Sequence, residues 1–113
     1  MRVYLAGPMS NIPQFNFPAF FAAAEKLFND GHDVFNPAQK DRERAGDGWW
    51  EKSDGSHVNL PTNISYRECL RVDLNWILDH AEAIALLPGW ENSKGVKAEL
   101  ALASALGLRV IYL

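Results

Sequence analysis

The sequence predicts a single three-layer α/β domain, a parallel sheet of 4–5 strands with helices on both faces. Two observations carry this. Short apolar runs alternate with segments of helical periodicity along the 113 residues, and Ala83-Ile84-Ala85-Leu86-Leu87 is apolar at every position, as in a strand buried on both faces. Alternating strands and helices favour parallel pairing with right-handed crossovers. The length leaves room for one domain spanning residues 1–113, since domains usually run to about 100–200 residues.

Each element has its own signal. Val3-Tyr4-Leu5-Ala6 reads as a strand stopped by Gly7-Pro8. From Phe17 to Asp30, Phe20, Phe21, Ala24, Leu27 and Phe28 recur at three- and four-residue steps, with Asn16 as candidate cap and Gly31 past the end, which predicts an amphipathic helix. Asp33-Val34-Phe35-Asn36-Pro37 reads as a second short strand, ended by its proline. Residues 38–62 lose all periodicity and collect Gly46, Asp47-Gly48, Ser53-Asp54-Gly55 and Pro61 around Trp49-Trp50, so an irregular loop, either functional or disordered, is expected there. Ser65 followed by Glu68 forms a capping box for a helix reaching His80. After the buried strand, Gly95 to Leu106 carries Val96, Leu100, Ala103 and Leu106 on one side. Gly107 closes that helix, and Arg109-Val110-Ile111-Tyr112 is the last strand.

Composition narrows the function. With 48% hydrophobic and 22% charged residues the chain has the balance of a folded globular protein. A net charge of −3 without any Lys/Arg run argues against nucleic acid as a partner. One cysteine, Cys69, excludes an internal disulfide, and no Cys/His cluster has zinc-like spacing. No apolar stretch is long enough to span a bilayer, and Met1 runs straight into strand-like sequence without a leader. No membrane partner and a cytoplasmic location are expected.

In an open parallel sheet, ligands bind beyond the carboxyl ends of the strands. Three loops lie there: Gly7-Pro8-Met9-Ser10-Asn11, Asn36-Pro37, and Pro88-Gly89 through Gly95. Free amides at Ser93, Lys94 and Gly95 open the last helix and would stabilise an anion such as a phosphate, although Ser93 also reads as a simple N-cap. Glu99 lies one turn beyond Gly95 among Val96, Ala98, Leu100 and Leu102, so it either looks into the crevice or lies on the solvent face. Asp73, flanked by Arg71 and Asn75, is either an exposed ion-pair member or a second acid in the same pocket. Two carboxylates on one pocket are the minimum for retaining glycosyl chemistry. His32, His57 and His80 fall at turn or helix-end positions and read as structural. Trp49-Trp50 either covers a pocket or caps the domain locally.

Taken together, Tyr4-Leu5-Ala6-Gly7-Pro8-Met9-Ser10, Arg71-Val72-Asp73-Leu74-Asn75-Trp76, Ala83 through Gly89, and Ser93-Lys94-Gly95-Val96-Lys97-Ala98-Glu99-Leu100 resemble the nucleoside 2-deoxyribosyltransferase-like superfamily. The likeness covers most of the chain apart from the middle loop, and it is closest to a short branch of that superfamily. The chain is also similar to the 2′-deoxynucleoside 5′-monophosphate N-glycosidases. The resemblance implies a flavodoxin-like, Rossmann-like fold, no metal or organic cofactor, and a homodimer or higher homo-oligomer in which a neighbouring chain completes each site. It implies that Glu99 is the nucleophile, that Asp73 orients the sugar and protonates the base, and that Tyr4 lies beside the nucleophile. Gly7, Pro8, Met9 and Ser10, Pro88 and Gly89, and Ser93 and Gly95 are the expected substrate-binding residues. The chain departs from relatives in having Ala98 where Tyr often precedes the nucleophile, Glu82 where Asp is usual, and Pro8 and Ser10 where the nucleotide glycosidases carry a serine and an arginine.

The expected function is cleavage of the N-glycosidic bond of a nucleoside or its 5′-monophosphate through a glycosyl-Glu99 intermediate, by hydrolysis or base exchange. The rival expectation is a non-catalytic nucleotide-binding module of the same fold. A third is an interaction protein that exposes Trp49, Trp50 and Trp90.

Overall fold

Four strands, β1 (Arg2–Ala6), β2 (Asp33–Phe35), β3 (Ala83–Leu86) and β4 (Arg109–Tyr112), pair in parallel in the order β2-β1-β3-β4. Among the described residues four α-helices accompany them: α1 (Phe17–Asn29), α2 (Pro37–Ala45), α3 (Tyr66–His80) and α4 (Lys94–Ala105). The computed structural model describes residues 1–45, 48, 50–56 and 65–113. Trp49 and His57 lie outside the described residues.

Strand periodicity sorts the core into two layers. Val3, Leu5, Ala83 and Ala85 pack with Phe17, Phe20 and Leu27 of α1 on one face, while Tyr4, Ala6, Ile84 and Leu86 pack with Ile77 of α3 and Val96 and Ala103 of α4 on the other. Alternate side chains of a strand point to opposite faces, so β1 and β3 are covered on both sides and every residue of β3 is buried. This is the three-layer α/β arrangement predicted from the alternation of elements.

Both of the helix-ending glycines act as expected. Gly31 and Gly107 take left-handed φ values of 94° and 70°. Around them His32 N–H donates to Leu27 O at 3.1 Å and Leu108 N–H donates to Ala103 O at 3.0 Å, the long-range bond of a Schellman ending. Ser65 caps α3 by accepting from Glu68 N–H at 3.4 Å. The reciprocal half of the capping box is absent, because the Glu68 carboxylate pairs with Arg71 instead.

Two expectations are corrected. Asn16 does not cap α1: it sits in the left-handed region and makes no side-chain cap bond. Its side chain donates instead to Pro8 O at 3.0 Å, tethering the loop after β1. The irregular stretch predicted from residue 38 begins with a helix, α2. Asn36 Oδ1 accepts from Ala38 N–H at 3.0 Å and Pro37 opens the first turn, as proline readily does. The helix escapes a periodicity reading because Pro37-Ala38-Gln39-Lys40-Asp41-Arg42-Glu43 has almost no apolar stripe; over these residues Pro37 and Ala38 are the buried ones, and Lys40 and Glu43 pair at 3.8 Å on the exposed side.

Further along, Trp50 packs against Phe17 and Phe21, with ring centroids 5.3 and 6.0 Å away, so it caps α1. Residues Ser53 to Gly55 strap the first loop: Gln14 N–H donates to Ser53 O and Asn11 N–H to Gly55 O, both at 2.8 Å. A Cβ at Gly55 would lie 2.1 Å from Ile12 O, so no larger residue fits there. No helix among the described residues is long and apolar enough to cross a membrane.

Candidate active site

The sheet order creates the site. From β1 the chain crosses to β2 on one side, while β3 lies on the other, so the loops after β1 and β3 diverge and leave a crevice beyond their carboxyl ends. A cavity of about 490 Å³ occupies it. Its walls come from the loop after β1 (Gly7 to Asn11), from α3, from the start of α4, and from Pro37 and Asp41 of α2.

Tyr4 and Glu99 meet at its base. Tyr4 is 1% exposed and Glu99 6%, and the Tyr4 hydroxyl donates to Glu99 Oε2. Glu99 reaches this position because Val96, Glu99 and Ala103 form the buried stripe of α4 at helical spacing. Tyr4 is fixed by packing, its ring 5.5 Å from Phe35 and 6.4 Å from Trp76. Asp73 joins them from α3, where Tyr66, Cys69, Leu70 and Asp73 form one stripe along the cavity wall, and it lies within hydrogen-bonding reach of the Tyr4 hydroxyl. It is half-buried, while Arg71, its candidate partner on the surface, pairs with Glu68.

The electrostatics follow from burial. Loss of water pushes the Glu99 carboxyl up to about 8; the Tyr4 hydrogen bond opposes that shift and the charge of Asp73 adds to it. The Tyr4 hydroxyl is driven well above its ordinary 10 by burial first, then by the charges of Glu99 and Asp73. Near neutral pH the buried carboxyl therefore retains its proton, shared within a set of acids that cannot all ionise together.

The start of α4 forms a second region of the same cavity. Ser93 Oγ accepts from Val96 N–H at 3.3 Å, so the simple N-cap reading of Ser93 holds, and Ser93, Lys94 and Gly95 also line the cavity. A Cβ at Gly95 would lie 3.5 Å from the Tyr66 hydroxyl, which brings the first turn of α3 against this helix start. On the opposite wall the backbone of Gly7 approaches Leu87 so closely that a Cβ would come within 2.7 Å of the leucine Cβ.

Of the predicted residues, Tyr4, Gly7, Pro8, Met9, Ser10, Asp73, Ser93, Gly95 and Glu99 line this one cavity. Pro88 and Gly89 do not, and the reason is the turn they form. Gly89 takes φ 88° at the start of a 3-10 turn, Trp90–Asn92, and a Cβ there would lie 3.3 Å from Pro8 Cγ, so Gly89 packs against the first loop. Lys94, expected at the anion seat, lines the cavity too, and Asp41, Tyr66 and Cys69 line it without having been assigned to the site from the sequence. Tyr66 and Cys69 share a helical stripe with Asp73 and follow once Asp73 faces inward; Asp41 lies on the helix that periodicity missed. His32 and His80 sit elsewhere, beside the N-terminus at 3.2 Å and Trp76 at 5.7 Å. Among the described residues no group of three His, Cys, Asp or Glu could hold a metal ion.

No curated protein and no solved structure matches the chain. A family model does, over residues 1–112, and its description is a domain of unknown function. The chain belongs to that family, DUF4406.

Proposed function

We propose that this protein cleaves the N-glycosidic bond of a nucleoside or its 5′-monophosphate through a covalent glycosyl-Glu99 intermediate. One observation carries the reading: a buried glutamate, hydrogen-bonded by a tyrosine and set beside a second carboxyl, at the base of a cavity of about 490 Å³. The resemblance to the deoxyribosyltransferase-like superfamily adds the substrate class.

Each group has work to do in this scheme. The single proton of the acid pair starts on Glu99. It passes to Asp73 across the Tyr4 hydroxyl, which turns from Glu99 toward Asp73, accepts the Glu99 proton and donates its own. Glu99 is then an anion, and its oxygen attacks C1′ of the sugar as the C1′–N bond breaks. The electron pair of that bond stays on the base nitrogen, and the base takes the proton from Asp73. Water then opens the sugar–Glu99 ester, giving its proton to Asp73, or a second base does so by transfer. A 5′-phosphate fits the amides that open α4, beside Ser93 and Lys94. Hydrolysis of a deoxynucleotide is the favoured outcome, and no cofactor enters any step.

A specific observation keeps the alternative in play, a nucleotide-binding module without turnover. A glutamate that holds its proton near neutral pH can recognise a sugar hydroxyl without attacking it. Chromatography for free base after incubation with deoxynucleosides and their monophosphates separates the two. Release that disappears in Glu99→Gln is expected; ligand-induced melting shifts without any release support the module and overturn the enzyme.

A further inference from the structure

The scheme above leaves one wall of the cavity without a role. Past the acid pair, the cavity crosses the carboxyl edge of the sheet to the α1 face, where Phe15, Phe17 and Phe20 line it together with Pro37 and Asp41. The three aromatic residues belong to the core of that face, as does Ala38, one turn before Asp41 on α2. Cys69 reaches the same place from α3 on the opposite face, and its thiol donates to Asp41 Oδ1 at 3.5 Å. Cys69 is one helical turn from Asp73, and side chains so spaced are neighbours. The cavity therefore joins the α4 helix start and the acid pair to a recess backed by buried aromatic core residues, whose wall carries a half-buried carboxylate.

We infer that Asp41 determines base specificity by reading the edge of the leaving nucleobase, and that it selects a 2-amino-6-oxopurine. The inference rests on the proposed function only for the placement of a base beside Asp73. A sugar seated between Glu99 and the start of α4 directs its base away from that helix, into the recess. An ionised carboxylate only accepts hydrogen bonds, and its two oxygens offer about four acceptor sites, enough for the Cys69 thiol, other protein donors and a base edge. Guanine presents a ring N–H and an amino group side by side, the pair a carboxylate accepts bidentately. Thymine and uracil flank their one N–H with carbonyl oxygens, which a carboxylate repels. Adenine and cytosine set a ring lone pair beside their amino group.

The test is calorimetric binding of the 5′-monophosphates of deoxyguanosine, deoxyinosine, deoxyadenosine and thymidine to the wild type and Asp41→Asn. Guanine and hypoxanthine differ only in the 2-amino group, so the wild type is expected to bind the guanine nucleotide about tenfold tighter or more. Asp41→Asn should shrink that gap to roughly threefold or less, mainly by weakening the guanine nucleotide. Equal binding of the two by the wild type, a gap that survives Asp41→Asn, or no binding of any nucleotide overturns the inference. If Asp41→Asn does not fold, the wild-type comparison decides alone. Base release from the same four compounds is followed in parallel. Guanine-selective binding without release sinks the glycosidic reading and leaves Asp41 in its role, whereas release without guanine preference does the reverse.

Discussion

At the scale of single residues, the proton on Glu99 controls both stability and rate. Folding raises this carboxyl from its ordinary 4.5 to about 8. Below 4.5 it is protonated in both states and costs nothing. Above that value the unfolded chain ionises first, so stability falls as pH rises, until about pH 8, where the penalty levels off. Glu99→Gln, which is neutral throughout, should therefore stabilise the fold by on the order of 2–3 kcal/mol at pH 7. Denaturant titrations of both proteins across pH check this, and the difference should vanish in acid. The rate behaves differently: the leaving base needs the one proton of the acid pair, so kcat/KM should fall as pH rises through about 8. Tyr4→Phe removes both the donor to Glu99 and the bridge to Asp73. Base release should drop on the order of 10²-fold, and the Glu99 carboxyl should titrate higher still, a shift that infrared or NMR titration reads directly.

At the scale of elements, the start of α4 links fold to ligand. Ser93 caps that helix through Val96 N–H, so Ser93→Ala should cost about 1 kcal/mol in denaturant unfolding. If the same helix start seats a phosphate, the variant should also lose more affinity for a nucleoside monophosphate than for the nucleoside. The legibility of each element follows from its burial. β1, β3, α1, α3 and α4 announce themselves because each turns an apolar stripe or run inward, and Gly31 and Gly107 mark two endings. α2 buries little beyond Pro37 and Ala38, so its only signal is the Asn36-Pro37 start, which reads equally well as the end of a strand. Asp41 is lost with it. Pro88-Gly89 shows the converse: the loop after β3 carries residues that line the cavity and residues that do not, and loop position alone does not separate them.

At the scale of the molecule, the sheet brings together acids that are distant in sequence. Tyr4 is on the first strand, Asp73 and Glu99 are on helices before and after β3, and the strand order places all three at one crevice. The β4 edge of the sheet has a different character. β4 ends the sheet, and near it Leu106, Tyr112 and Leu113 are 45%, 68% and 39% exposed, an apolar edge of a kind that self-association covers. The expected homo-oligomer would use it. Light scattering should give a mass of at least two chains, and Tyr112→Glu should shift it toward one; a wild type that stays a single chain at all concentrations contradicts this.

The proposed mechanism depends most on a bond between sugar and Glu99. A 2′-fluoro-substituted deoxynucleotide slows the opening of such an ester more than its formation and lets it accumulate. Intact-protein and peptide mass spectrometry after brief incubation should find the fluorosugar, or its 5′-phosphate, attached to the peptide containing Glu99, together with one equivalent of free base. An adduct on another residue, or steady base release by Glu99→Gln at the wild-type rate, would contradict it.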